Sequence, residues 1–179
     1  MNAIQELMHI IELEERKTMV ECVIRMFNSK VSPHLKKLKK GVIHGDYDPN
    51  NVIVSMLPHE GEDVRPEVCG IIDFSDARYS YYVFELAICI ADFLMFSKDA
   101  NHSLISTRLS EGYQSKFQLN ELEKSLLPIC IASRLCQVAV LGTNELKVQR
   151  YNNYIDNFVS KAWNCLHSTL ANLSKIIEL

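Results

Sequence analysis

Two short segments hold the side chains of this chain that could do chemistry together. The first, GVIHGDYDPNNVIV (41–54), sets His44, Asp46, Asp48, Asn50 and Asn51 between apolar runs; the second, CGIIDFSDARYSYY (69–82), adds Asp73 and Asp76 after another apolar run. Flanks of that kind predict burial, where polar groups are costly unless they are used or satisfied. The order is His-Gly-Asp-x-x-x-x-Asn, then a strand-like run ending Ile-Asp-Phe. Transfer of a γ-phosphoryl group from a nucleotide to a hydroxyl calls for that set. One loop aspartate accepts or orients the acceptor hydroxyl, while an asparagine and a strand-end aspartate hold magnesium on the phosphates. Magnesium takes one or two carboxylate or amide oxygens and completes its octahedron with water and phosphate oxygens. Asn51 and Asp73 supply those donors, and Asp46 is left as the base.

A plainer alternative reads 41–56 as a polar hairpin loop, with Asp48-Pro49-Asn50 as turn formers and Asp46 capping a backbone donor. That explains one polar cluster but not two in this order. Gly45 stands where the protein-kinase catalytic loop has arginine, so a cation that could clamp a phosphorylated activation loop is missing. Only FSDARYSY separates Asp73 from the next helical pattern, too little for a long peptide-docking segment. Both features favour a small alcohol as acceptor. Arg78 and Arg134 could each grip a substrate carboxylate, but an arginine in an apolar helix such as IASRLCQVAV could equally pair with an internal acid. Glu85 and Asp92, a heptad apart, are expected to share a helical face and to be hydrogen-bonded for structure rather than to bind a substrate ammonium. Asp76 serves either a metal or substrate ammonium, or only a turn.

The elements that must position these groups follow from periodicity. An acidic stretch over 4–28 repeats its apolar residues at helical spacing, through Ile4, Leu7, Ile11, Met19, Val23 and Met26. Strand-like runs are expected at 41–44, 52–56 and 68–73, forming a small sheet or hairpin, with the turn-rich LPHEGEDVRPE between the last two. From Tyr82 on the pattern is helical, with breaks expected near 97–102, 118–120 and 142–144. Trp163, Phe158 and Leu166 share a helical face and are expected in the core. The fold class is therefore mostly α with a small β element.

Composition removes several functions. With 179 residues, 47% of them hydrophobic, and a formal charge of -3, the chain reads as one globular domain rather than a disordered or nucleic-acid-binding one. LKKLKK (35–40) is expected to be the solvated end of a helix. Six cysteines without a CxxC pair read as buried free thiols in a reducing, cytoplasmic compartment. No histidine stands at metal-ligand spacing with a cysteine, which argues against zinc. The start lacks a signal-peptide pattern, and the apolar runs at 81–96 and 126–142 carry Glu85, Asp92 and Arg134, so core helices are expected rather than membrane spans.

IHGDYDPNNVIV and GIIDFSDA resemble the catalytic and metal segments of aminoglycoside phosphotransferase-like small-molecule kinases. The resemblance extends through YSYYVFELAICI and CIASRLCQVAV to the helix with Trp163, and so over essentially the whole chain. It implies that Asp46 is catalytic, that Asn51 and Asp73 are magnesium ligands, and that His44 braces the loop. The softer downstream similarity points to the hydroxylysine-phosphorylating branch, implying GTP (or ATP) as donor and 5-hydroxy-L-lysine as acceptor, with no nucleic-acid or membrane partner. Ser75 departs from the glycine common at that place in relatives, which leaves the loop around Asp73 open. No phosphate-covering glycine loop or phosphate-binding lysine is recognisable before His44. The chain, 1–179, is therefore expected to be the larger, C-terminal lobe of a protein-kinase-like fold, with the smaller lobe missing through truncation, a short isoform or degeneration, and to turn over little alone. The alternatives are a non-catalytic kinase-fold remnant that binds or regulates, or a kinase for choline, ethanolamine or homoserine.

Overall fold

The computed structural model describes residues 1–56, 65–97, 101–148 and 153–177, and it is mostly helical. Among the described residues six α-helices run Asn2–Glu6 (α1), Glu14–Met26 (α2), Tyr82–Phe96 (α3), His102–Gln114 (α4), Glu121–Val148 (α5) and Asn153–Ile177 (α6). Four short strands, Lys40–Ile43 (β1), Val52–Ser55 (β2), Glu67–Ile71 (β3) and Arg78–Tyr81 (β4), lie between α2 and α3.

The apolar rows of α3 and α5 build the core. Val83, Leu86, Ile90, Ala91 and Met95 of α3 are buried, as are Ala132, Leu135, Cys136, Ala139 and Val140 of α5. From α6, Val159, Ala162, Trp163 and Leu166 close the other side. Trp163 is buried as its helical face predicts, and its indole N–H donates to Thr143 Oγ1 at 3.2 Å. Phe158 packs against Phe96 at the same layer. The cysteines are free; those in α3, α5 and α6 are buried, and burial pushes the Cys89, Cys130 and Cys136 thiols up to about 12. By length and composition α5 could cross a membrane, yet 61% of its most apolar window is buried within this fold. Its start is a reciprocal cap: Asn120 Oδ1 accepts the Glu123 N–H, and Glu123 Oε2 accepts the Asn120 N–H, both at 2.9 Å. The fully buried Glu123 also accepts the Lys39 N–H through Oε1, tying the approach to β1 onto α5.

Three expectations change. The helical stretch over 4–28 is broken: a 3₁₀ turn follows α1 at Leu7–Ile10, Ile11 is extended, and α2 restarts at Glu14 behind an acidic first turn. The expected hairpin is found between the second and third runs, β2 and β3, but β1 is not part of it. β1 pairs antiparallel with β4 (Lys40↔Tyr81 to Ile43↔Arg78), and β2 pairs antiparallel with β3, with an irregularity at Ile53/Val54. β4, absent from the sequence reading, is fixed by that pairing. The break expected at 142–144 does not occur, because α5 runs through Gly142, where a Cβ would meet Val159 Cγ2 of α6 at 2.3 Å. That glycine permits helix contact instead of ending a helix. The breaks near 97–102 and 118–120 are found. Most of LPHEGEDVRPE lies outside the described residues. LKKLKK spans the end of a 3₁₀ helix (Ser32–Lys37) and the first residue of β1, with its lysines exposed and Leu38 buried.

Candidate active site

The end of β1, the loop after it and the chain leaving β3 meet beside the first turn of α3. Glu85, in that first turn, receives two backbone donors, His44 N–H at Oε1 and Gly45 N–H at Oε2, each at 3.0 Å. Gly45 turns the chain with φ 85, and a Cβ there would lie 2.5 Å from the Asp76 carbonyl oxygen and 2.7 Å from Arg78 Nη1. Conformation and space both require glycine. The H-G-D form of the motif thus makes room for Arg78, which reaches across from β4.

His44 Nε2 donates to the Ile72 carbonyl at 2.9 Å, and its ring packs against Phe74. The Asn51 carbonyl accepts the Ile72 N–H at 3.0 Å. Residues on both sides of Asp46 therefore hold the residue preceding Asp73. Asp48 Oδ1 accepts the N–H groups of Asn50 and Asn51, so the turn reading is right for Asp48-Pro49-Asn50 but not for Asp46. Asn51 is buried; its Nδ2 donates to the Asp46 carbonyl at 2.8 Å and lies 3.5 Å from Asp46 Oδ2. Among the described residues no hydrogen bond engages the side-chain oxygen of Asn51.

Asp73 has φ 60, in the left-handed region that short polar residues tolerate when they bond locally. Its Oδ1 accepts the Ser75 hydroxyl at 2.7 Å and the Ser75 N–H at 3.3 Å. Those bonds, the hydroxyl first, hold its carboxyl below the usual carboxylate range. The positive φ lies at Asp73 and not at Ser75, so serine there serves as a partner for the carboxylate. Asp76 sits in the turn closed by Ala77 N–H to Phe74 carbonyl, and among the described residues its side chain makes no hydrogen bond.

Asp46 is joined to the core by Arg134 of α5. Arg134 Nη2 donates to Asp46 Oδ1 and to Asp92 Oδ2, both at 3.0 Å, and Nε approaches Asp92 Oδ1 at 3.5 Å. Arg134 therefore pairs with internal acids. Burial pushes the carboxyl of Asp92, 2% exposed, up to about 6, while Arg134 pulls it the other way. Glu85 and Asp92 are hydrogen-bonded, as expected, but to different partners: the loop backbone and the arginine. The anchoring of the loop by Glu85 was legible only as an acid in a first turn.

Among the described residues no three His, Cys, Asp or Glu side chains cluster as a preformed metal cage. The donor set instead suits a cation held by few protein oxygens. The amide oxygen of Asn51 and the exposed carboxylate of Asp73 are donor types that fit magnesium, which keeps water and phosphate oxygens as its other ligands.

The profile of the phosphotransferase enzyme family matches residues 3–114. The chain is 27% identical over 176 residues to hydroxylysine kinase of Mus musculus, an alignment covering 98% of this chain and 46% of that protein. It is 32% identical over 135 residues to hydroxylysine kinase of Xenopus laevis, covering 75% of this chain and 36% of the relative. Homoserine kinase of Gluconobacter oxydans (strain 621H) is 28% identical over 109 residues, covering 61% and 30%. The chain spans about half the length of the hydroxylysine kinase of Mus musculus. With its family profile covering well over half of the chain, including both polar segments, this protein belongs to the phosphotransferase enzyme family.

Proposed function

We propose that the chain is the acceptor-side and metal-side lobe of a cytoplasmic small-molecule kinase that moves the γ-phosphoryl group of GTP, or ATP, to the hydroxyl of 5-hydroxy-L-lysine. The observation that carries this reading is the joint hold of His44 and Asn51 on Ile72, which brings Asp46, Asn51 and the strand-end Asp73 into one loop cluster. In this reading Asp46, oriented by Arg134 and Asn51, takes the acceptor hydroxyl proton as the oxygen attacks the γ-phosphorus; the bond to the bridging oxygen breaks and the nucleoside diphosphate leaves. Asn51 Oδ1 and Asp73 would hold magnesium, which neutralises phosphate charge when bound. His44 braces the loop and leaves Asp46 free for the proton.

The test follows magnesium-dependent binding of GTP to the chain by phosphorus NMR, and transfer of labelled phosphate to 5-hydroxy-L-lysine, homoserine, choline and ethanolamine. Binding by the lobe alone is expected to be weak and turnover low. Asp73→Ala should remove the magnesium-dependent part of binding. Asp46→Asn should keep binding and abolish whatever transfer is measured. Normal turnover in Asp46→Asn, or unchanged magnesium-dependent binding in Asp73→Ala, overturns the assignment. A second reading, a non-catalytic binding lobe, draws on the apolar residues exposed on the β ribbons; it is favoured if no nucleotide binds.

A further inference from the structure

Arg78 of β4 and Arg134 of α5, far apart in sequence, line one small pocket of about 110 Å³ between α3, α5 and the turn after α2. Phe27 and Phe84 form an aromatic wall, and Ser133 and Gln137, one residue before and three after Arg134, add polar groups from α5. Arg134 spends its Nε and Nη2 on Asp92 and Asp46; among the described residues no group accepts from its Nη1. Arg78 donates through Nη1 to the Asp76 carbonyl, and among the described residues no carboxylate lies within ion-pair distance of it. Two guanidinium groups with unused donors, beside an apolar wall, form an anion site of carboxylate size. The volume is well below that of pockets enclosing a whole drug-sized ligand, so the pocket has room for one end of a small molecule only.

We infer that this pocket binds the carboxylate of an amino-acid acceptor and thereby sets its hydroxyl beside Asp46. The inference rests on the phosphotransferase reading and deepens it by giving the carboxylate of the acceptor a place, at Arg78 and Arg134. Arg134 touches Asp46 directly, so a carboxylate at Arg134 and a hydroxyl at Asp46 are separated by only a few atoms of ligand. Choline and ethanolamine have no group for the pocket.

The experiment is amide NMR titration of chain 1–179, without nucleotide, by L-lysine, 5-hydroxy-L-lysine, the decarboxylated analogue 1,5-diaminopentan-2-ol and inorganic phosphate. Both amino acids should shift the amides of Arg78, Ser133, Arg134 and Gln137, and the decarboxylated analogue should bind about tenfold more weakly or worse, the size expected for losing a charge-assisted contact. Arg78 is exposed, so Arg78→Met should fold and lose that preference; Gln137→Glu, which adds a like charge to the pocket, should weaken the amino acids and spare the analogue. Equal binding of amino acid and analogue, no binding of either, preference retained in Arg78→Met, or phosphate giving the stronger shifts at these amides overturns the inference. The two readings fail separately. Carboxylate-dependent binding without magnesium-dependent nucleotide binding leaves the pocket and removes the kinase. Nucleotide binding through Asp73 with no carboxylate preference does the reverse.

Discussion

Arg134 carries one positive charge between two carboxylates of unequal burial, and the inequality has consequences for stability. Asp92 is 2% exposed, whereas the Asp46 side chain is 33% exposed, so water can compensate Asp46 but not Asp92. The carboxyl of Asp92 moves from 3.8 to about 6 on folding, first through burial. A carboxyl raised in the fold favours the folded state while it is protonated. Its contribution is full below the unfolded value and is lost as pH rises through about 6. Removing the guanidinium leaves a buried carboxylate without its cation. Arg134→Met should therefore cost about 3–5 kcal/mol at neutral pH, and less at mildly acid pH, where Asp92 can take a proton. Urea melts across that window check both signs; a cost independent of pH would mean that Asp92 relaxes into water. Type and spacing singled out Asp46, Asn51 and Asp73 in the sequence, and hydrogen bonds join the loops that carry them. The partners of Arg134 could not be read there, because they come from α3 and the loop after β1, distant along the chain. The role of Ser75 was equally hidden, since its value depends on the backbone conformation of Asp73.

The same limit appears among the elements. Long helical patterns and the strand-like runs were visible because apolar spacing reports burial directly. β4 was not, since RYSY has no apolar run and becomes a strand only by pairing with β1. Gly142 misled for the opposite reason: a helix breaker by propensity, it is retained inside α5 because α6 comes too close for a side chain. Gly142→Ala should gain about 1 kcal/mol of helix propensity but must displace Val159, whose branched side chain is buried and stiff. Overpacking of this kind costs about 1–3 kcal/mol. The expected net is destabilisation, read as a lower urea midpoint at unchanged slope, and partly recovered by Val159→Ala in the same chain. A higher midpoint for Gly142→Ala would show that α6 shifts without loss and that the contact is not tight.

Across the whole molecule apolar exposure is uneven, and this predicts its behaviour in solution. The helical half buries most of its large side chains, with Leu104, Leu141 and Val148 as exceptions, but on the strands Val42 and Tyr79 are each 73% exposed, Val68 59% and Ile53 45%. Val42 and Tyr79 face each other across the β1–β4 register, as Ile53 and Gly70 do across β2–β3, so the exposure follows the ribbons. Among the described residues each ribbon has two strands, and ribbons so narrow invite a further strand. Apolar exposure of this extent on a monomer marks a contact surface or an aggregation hazard. The chain alone should therefore self-associate as its concentration rises, with a sedimentation coefficient that climbs and a hydrophobic dye that lights up in the folded state. Val42→Thr with Val68→Thr keeps strand-compatible residues and should suppress both signals while leaving the melting temperature nearly unchanged, because neither side chain belongs to the core. Wild-type protein that stays monomeric and dark to the dye would mean that the ribbons need no cover. In that case the apolar strands would give no support to a non-catalytic binding lobe, and the case for activity would return to Asp46 and Asp73.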